Sequence, residues 1–262
     1  MKHVSHVGAP SRALLYTEPT RAAVEFGTFL ATAPVLRRAP HGDGHTVLVL
    51  PGFLADDRST LVLRNTLGSL GYRTYGWGLG RNVGPTAEIL DGMKAQLARL
   101  ATSSGAPVSI VGWSLGGMFA RGLGHQLPGH IRDIVTLGSP FRSDSPIGSH
   151  AARSFERFAH LHVPHTELPD IEADRGQLPM PVTAVYTKAD GVVAWQTCLQ
   201  DDGVRRENVE VHGSHCGLGH NPAALWVLAD RLAQPAGEWV PFTPPAALRH
   251  LYPTPAPTSM AA

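Results

Sequence analysis

The fold prediction starts from residues 110–117, which read Ile110-Val111-Gly112-Trp113-Ser114-Leu115-Gly116-Gly117. The apolar run from Val108 to Val111 predicts a buried strand, and the pattern from Met118 onward predicts a helix directly after it. The intervening Gly-x-Ser-x-Gly allows a tight turn, because glycine brings no side chain to crowd it. Such a turn lifts the Ser114 hydroxyl out of the sheet and places the backbone N–H of Leu115 at a helix start, where a developing oxyanion is stabilised. The stretch therefore predicts a nucleophilic serine on a strand-to-helix turn.

Length and composition are those of one α/β domain covering residues 1–262, with 43% apolar residues to form its core. The 22 Lys and Arg nearly balance the 21 Asp and Glu, so no basic surface for nucleic acid is predicted. No residues read as a signal peptide or a membrane span, and no Cys/His spacing is typical of a metal site. We expect a cytoplasmic protein without a metal or cofactor; its oligomeric state is not predicted.

Segments of strand and helix pattern alternate along most of the chain. This alternation predicts a mostly parallel central sheet of about six strands, flanked by helices, with the ligand site beyond the carboxyl ends of the strands. The predicted strands are 45–50, 72–77, 108–111, 131–137, 182–186 and 209–212. Four residues with suitable chemistry follow different strands in this pattern, namely Phe53, Ser114, Asp190 and His215.

The sequence also predicts two helix caps, an insertion and a C-terminal tail. Thr17 is expected to cap a packing helix that ends near Ala33, and Asp56 or Asp57 to cap a helix over 58–70. Residues 142–180 interrupt the alternation and are interpreted as a small cap or lid insertion with one helix near 149–159. Residues 234–262 form a proline-rich C-terminal tail.

An acid and a base are needed to activate the serine. Histidine titrates near neutral pH and can take the serine proton, and a carboxylate fixes its tautomer and stabilises the imidazolium. Asp190 and His215 are predicted for these roles. Asp144 remains an alternative acid. Of the other histidines nearby, His212 is predicted inside the last strand and His220 near a helix start.

Oxyanion and substrate contacts can also be proposed from position. Pro51-Gly52-Phe53 ends the first strand, so the backbone N–H of Phe53 is predicted to join that of Leu115 in an oxyanion hole. The residues around the predicted site are mostly apolar, which suggests an acyl-binding cleft with few charges. The residues predicted to contact substrate are Leu54, Trp113, Phe141, Val192, Val193, Trp195 and Leu218.

These motifs resemble those of α/β-hydrolases of the serine esterase and lipase kind over about residues 45–233. The resemblance rests on Val-Leu-Pro-Gly-Phe (49–53), Gly-Trp-Ser-Leu-Gly-Gly (112–117), Thr-Leu-Gly-Ser-Pro (136–140), Ala-Asp-Gly-Val-Val (189–193) and Gly-Ser-His (213–215). The chain order serine, acid, histidine is that of the family. The first strand here corresponds to the family's third, and the His-Gly-Gly-Gly oxyanion motif of one lipase branch is absent from the sequence.

The resemblance implies an α/β-hydrolase that cleaves small-molecule esters of uncharged, short-to-medium acyl chains through an acyl-serine intermediate. An acyltransferase using the same acyl-enzyme with an alcohol or amine is the first alternative, and a non-catalytic binding protein is the second. Cys198 and Cys216 follow the predicted acid and base; two unpaired thiols are favoured over a disulfide between those loops.

Overall fold

A computed structural model describes residues 8–142, 148–164 and 178–253. Its centre is one six-stranded sheet with the order β2-β1-β3-β4-β5-β6, in which every neighbouring pair is parallel. The strands are β1 (Thr46–Leu50), β2 (Arg73–Gly76), β3 (Val108–Trp113), β4 (Ile131–Leu137), β5 (Val182–Tyr186) and β6 (Arg206–Glu210). The predicted parallel sheet is confirmed.

Helices cover both faces of the sheet, as predicted. In the described residues these are α1 (Arg12–Leu36), α2 (Leu61–Ser69), α3 (Ala87–Ser104), α4 (Leu115–Gln126), α5 (Ala152–Arg157) and α6 (Pro222–Leu232). Alternate strand residues enter two cores: Val47 and Val49 pack with α2 and α6, whereas Leu48 and Leu50 pack with α3 and α4. This division follows from the two-residue period of a strand.

The strand order reverses direction between β1 and β3. From β1 the chain passes outward to β2 and then returns to β3 on the other side of β1. The loops at the carboxyl ends of β1 and β3 therefore diverge to opposite faces and leave a crevice, which is where open α/β sheets bind ligands. Phe53 and Ser114 follow these two strands.

Several predicted boundaries are wrong. Helix α1 begins at Arg12, with the Ser11 hydroxyl accepting from the N–H of Leu14, so Thr17 is not its cap. It ends at Leu36 and not near Ala33, so Pro19 and Pro34 both lie inside it. Helix α2 begins at Leu61, so neither Asp56 nor Asp57 is its cap: Asp56 accepts the N–H of Arg58, and Asp57 accepts the N–H groups that follow β2. Strand β6 ends at Glu210, so His212 lies beyond the strand.

A polar cluster, here called the amino-edge network, lies at the opposite edge of the sheet; His45 and Ser109 in it are buried, whereas Asp43 is exposed. It consists of Asp43, His45, Ser109 and Asp133. Nδ1 of His45 lies 2.5 Å from Asp43 Oδ1, and its Nε2 lies 2.9 Å from the Ser109 hydroxyl, which donates to Asp133 at 2.8 Å. Burial raises the pKa of Asp133 to about 6, although the Ser109 hydrogen bond opposes the shift. Burial also lowers the pKa of His45, against the effect of Asp43.

The C-terminal segment continues past α6 as far as residue 253 in the described part of the chain. Tyr252 donates its hydroxyl to the carbonyl of Ala223 at 3.0 Å, and Phe242 packs on the same core. These contacts fix the segment against α6.

Candidate active site

Ser114 lies on a strained turn between β3 and α4. Its φ of 53° and ψ of −120° fall in a region that non-glycine residues rarely occupy. The turn is compact enough that a side chain on Gly116 would overlap the backbone of Leu50. The N–H of Ser114 donates to the carbonyl of Leu137 at 2.8 Å, and its side chain is half-buried. The local sequence and β4 together present this hydroxyl at the carboxyl edge of the sheet.

Asp190 and His215 meet beyond the ends of β5 and β6. Nδ1 of His215 lies 2.6 Å from Oδ2 of Asp190, and both side chains are almost fully buried. The other oxygen, Oδ1, accepts the N–H groups of Val192 at 2.8 Å and Val193 at 2.7 Å. Asp190 thus shapes its own turn and also orients the imidazole. Because an ionised carboxylate only accepts hydrogen bonds, Nδ1 carries the proton and Nε2 is free to act as a base.

The electrostatic surroundings make His215 a stronger base. Burial lowers its pKa, but the charge and hydrogen bond of Asp190, together with the charge of Glu18, outweigh burial. The net result is a pKa above the usual 6.5. Such a histidine accepts a proton readily once it is neutral.

Ser114 and His215 are not hydrogen-bonded to each other in the described parts of the chain. Within the described parts of the chain, the Ser114 hydroxyl forms no hydrogen bond, including to His215. The two loops are nevertheless in contact, because the indole N–H of Trp113 donates to the His215 carbonyl at 3.1 Å. Nucleophile–base contacts are often long or misaligned in unliganded sites and tighten on binding, so this gap is compatible with general-base chemistry.

Two backbone N–H groups are available beside the serine. A methyl group on Gly52 would lie 3.2 Å from Ser114 Cβ, which places the loop after β1 against the serine. Among the described residues, the N–H groups of Phe53 and Leu115 donate to no other group. Free donors at a helix start and on a neighbouring loop can stabilise negative charge on a bound carbonyl oxygen.

Asn82 holds that loop in place, a role that the sequence analysis missed. Its side chain is fully buried and donates to the Pro51 carbonyl at 2.9 Å. Its backbone donates to Ala55 and accepts from Leu54, which adopts a strained φ of 61°. The glycine-rich loop after β2 thus supports the segment that carries Phe53.

Aromatic residues of the predicted insertion lie over Phe53. The ring centroids of Phe155 and Phe158 are 5.4 Å and 6.0 Å from that of Phe53. His162 then anchors the segment, with Nε2 2.8 Å from the Val83 carbonyl. The two phenylalanines, three residues apart in an otherwise polar stretch, were the available sequence signal for this contact.

The residues predicted to contact substrate take several positions. Leu54 is exposed and Val192 half-buried, whereas Val193, Phe141 and Leu218 are buried. The buried Phe141 lies under the guanidinium of Arg121, whose Cζ is 4.1 Å from the ring centroid.

Two tryptophans support other loops. Trp113 packs beneath the histidine loop, as its hydrogen bond to His215 shows. Trp195 stacks on Tyr186 with ring centroids 5.7 Å apart.

The alternatives considered for the acid and base have different outcomes. Asp144 lies outside the described residues. His220 binds the Ala22 carbonyl at 2.9 Å and is thereby engaged with α1.

Cys198 and Cys216 are free cysteines, so no disulfide joins the acid and base loops. No group of three or more His, Cys, Asp or Glu in the described part of the chain is arranged to hold a metal ion.

Helix α1 carries the functional contacts that the sequence analysis missed most completely. Glu18 and Glu25 accept N–H groups of the acid and base loops, and Arg21 donates to carbonyls of both. Their spacing of i, i+3 and i+7 puts all three on one helix face, and that spacing was the available signal.

Among the described residues, no helix is long and apolar enough to cross a membrane.

Comparison with known proteins identifies the architecture through solved structures. No protein-family model and no curated protein matches the chain. Aspergillus fumigatus lipase B is similar over 76% of this chain at 18% identity, with a TM-score of 0.58, and the chain spans 57% of that lipase's length.

Two further structures have the same architecture. One belongs to the metagenome-derived lipolytic enzymes LipS and LipT (16% identity, TM-score 0.53, 74% of this chain and 93% of that one). The other is the pyrethroid hydrolase PytH (16% identity, TM-score 0.51, 74% of this chain and all of that one). Together with the parallel sheet, these similarities show that the chain has the α/β-hydrolase fold.

Proposed function

We propose that the chain is a serine hydrolase that cleaves carboxylic esters with uncharged acyl groups through an acyl-serine intermediate. The observation that carries this proposal is the position of Ser114. It lies on a strained turn beside two free N–H groups, at the same sheet edge as the Asp190–His215 pair. We call Ser114, Asp190 and His215 the candidate triad.

The proposed reaction begins when Ser114 Oγ attacks the ester carbonyl carbon and His215 Nε2 takes the serine proton. The carbonyl oxygen becomes an oxyanion, which the N–H groups of Phe53 and Leu115 stabilise; removal of one such donor typically costs about 3 kcal/mol. His215 then protonates the departing alkoxide as the carbon–oxygen bond breaks, which leaves the acyl-serine. Water, deprotonated by His215, attacks the acyl-serine, and the carboxylic acid leaves as Ser114 regains its proton.

The substrate class follows from the surroundings of the two donors. Phe53 lies under the rings of Phe155 and Phe158, and Leu54 next to it is exposed. Such a surface favours apolar acyl chains, because contact with aromatic rings and an exposed leucine removes hydrocarbon from water. We interpret the part of the predicted cap within 148–164 as one wall of the acyl site.

The test is hydrolysis of p-nitrophenyl esters of increasing acyl length by the wild type and by Ser114→Ala. We expect activity that depends on acyl length in the wild type and its loss in the variant. Equal rates in both proteins, or none in either, would refute the proposal. Product analysis with an added alcohol then distinguishes hydrolysis from acyl transfer, since transfer produces a new ester in place of the acid.

A further inference from the structure

Helix α1 is oriented with its charged face toward the protein and large apolar side chains toward solvent. Glu18 is only 2% exposed, whereas Tyr16 is 74% and Leu30 58% exposed. An ordinary surface helix shows the reverse arrangement. Burial of a carboxylate is unfavourable unless it is paired and hydrogen-bonded, so the partners of Glu18 explain this orientation.

The carboxylate of Glu18 binds the acid loop and the base loop at the same time. Oε1 accepts the N–H of Gly191 at 2.7 Å and the N–H of His215 at 3.1 Å. Oε2 accepts the N–H of Cys216 at 2.9 Å. Gly191 directly follows Asp190, so one side chain connects the backbones on which the proposed acid and base are carried.

Arg21 reinforces the same connection through carbonyl groups. One guanidinium nitrogen donates to Ala189 at 2.8 Å and to Gly213 at 3.2 Å, and the other donates to Glu18 at 2.9 Å. The ion pair compensates the buried negative charge, and the carbonyl contacts fix the two loops a second time.

Glycines in both loops permit the helix to approach this closely. A methyl group on Gly191 would lie 2.5 Å from the Leu14 carbonyl oxygen, and one on Gly217 would overlap the carboxylate of Glu25. The acid and base loops are thus shaped to receive α1.

From these contacts we infer that Glu18 is a positioning residue, whose carboxylate holds the turn of Asp190 and the loop of His215 in one fixed arrangement. The inference deepens the proposed function and rests on it for the kinetic role of His215. Glu18 does not touch the Ser114 hydroxyl; it acts through the backbone of the two loops. A displacement of about 1 Å in such a pair can lower a rate about a hundredfold.

Glu25 provides a matched control on the same helix. It accepts the N–H of Ser214 at 2.8 Å, the hydroxyl of Ser214 at 2.6 Å and the side-chain amide of Asn221 at 2.7 Å. It therefore binds the base loop without contacting Gly191 or the N–H of His215. A role that is only structural predicts similar effects for both glutamates.

The charges of Glu18 and Glu25 also differ in their effect on His215. Titratable groups near His215 in the described part of the chain include Asp190 on the acid loop, Cys216 next to His215 in the sequence, and Glu18, Arg21 and Glu25 on α1. Glu18 is one of the groups that raise the pKa of His215. Glu18→Gln removes this charge, so it should lower the pKa of His215. It also turns an amide donor toward at least one backbone N–H, so Asp190 and His215 should be held less firmly in their relative positions.

The experiment compares wild type, Glu18→Gln and Glu25→Gln by ester kinetics and by NMR titration of the His215 imidazole. For Glu18→Gln we expect kcat to fall about tenfold to a hundredfold, KM to stay within about twofold and the pKa of His215 to decrease. For Glu25→Gln we expect a smaller fall in kcat than for Glu18→Gln, after correction for the folded fraction, because Glu25 contacts the base loop but not the acid loop. We expect the pKa of His215 to stay unchanged in this variant, because Glu25 is not one of the charges that raise it. Equal behaviour of the two variants would overturn the inference.

A measurement on the wild type covers the case in which Glu18→Gln does not fold. The amides of Gly191, His215 and Cys216 should exchange slowly with solvent deuterium, because each donates to a buried carboxylate. Rapid exchange at all three would overturn the inference. The NMR and exchange results need no substrate, so an inactive wild type with a Glu18-dependent His215 pKa would refute the proposed function while leaving the positioning role intact.

Discussion

Two serine–histidine–aspartate arrangements occupy opposite edges of the sheet, the candidate triad at the carboxyl edge and the amino-edge network at the other. In both, an aspartate oxygen lies within 2.6 Å of a histidine Nδ1. The amino-edge network also has a hydrogen bond between His45 Nε2 and the Ser109 hydroxyl, whereas the described residues give Ser114 no such bond. Judged by side-chain hydrogen bonds alone, the amino-edge network would be the better triad.

The surroundings of the two serines reverse that judgement. Ser109 lies within β3, is fully buried and already donates its hydroxyl proton to Asp133. Ser114 lies on a strained turn, is half-buried and has the free N–H groups of Phe53 and Leu115 beside it. A reactive serine therefore needs solvent access and a group that stabilises the developing negative charge, in addition to a base.

The largest expected difference concerns activity after removal of each serine. Ser114→Ala should lower kcat/KM for a p-nitrophenyl ester by at least about a thousandfold, because the nucleophile is lost. Ser109→Ala should stay within about threefold of wild type in the folded protein. A comparable loss in both variants would remove the distinction between the two edges.

Asn82→Ala should come next, because it releases the loop that carries Phe53. The fully buried amide holds Pro51, and its loss should displace the N–H of Phe53 from the oxyanion position. We expect kcat to fall about tenfold to a hundredfold with a smaller change in KM. Steady-state kinetics at a temperature where circular dichroism shows a fully folded variant would measure this, and an unchanged kcat would contradict it.

At the amino edge the expected effect is on stability. The pKa of Asp133 is raised to about 6, so between its unfolded pKa near 3.8 and 6 the folded state holds more protons than the unfolded state. The free energy of unfolding therefore loses a contribution as pH rises through this window, of about 2 to 3 kcal/mol.

Asp133→Asn removes that titration and tests the sign directly. The difference in unfolding free energy, variant minus wild type, should increase from pH 4 to pH 7 and then level off. Urea denaturation at several pH values measures it. A difference that falls with pH would contradict this, because it would mean that the fold stabilises the Asp133 carboxylate as the anion. As a control, kcat/KM should differ little between Asp133→Asn and the wild type.

The smallest expected effect is a displacement of the pH profile of activity. Because the pKa of His215 is raised, the acid limb of kcat/KM should have its midpoint above 6.5. The same shift stabilises the fold below pH 6.5, and this contribution is lost as pH rises through the folded pKa. His45→Gln should leave the midpoint in place, since His45 lies at the other edge; a midpoint below 6.5 in the wild type would contradict the account.

Most of the sheet could be predicted from the sequence because its signals are local. The bounds of β4 and β5 coincide with those predicted. The carboxyl-edge location of Ser114, Asp190 and His215 follows from the parallel alternation alone.

What could not be predicted depends on contacts between distant segments. Glu18 meets Gly191 across 173 residues and His215 across 197. Ser109 meets His45 across 64. No local pattern encodes these pairs. The start of α1 was misplaced for a different reason: Pro19 resembles a first-turn proline, but the helix tolerates it in its interior.

The central claim is that Ser114 is the nucleophile of this chain. The most direct measurement is labelling of the wild type, Ser109→Ala and Ser114→Ala with a fluorophosphonate, followed by mass spectrometry of the peptides. We expect one label per chain on Ser114 in the first two proteins and none in Ser114→Ala. A label on another serine, or no label on the wild type, would contradict it.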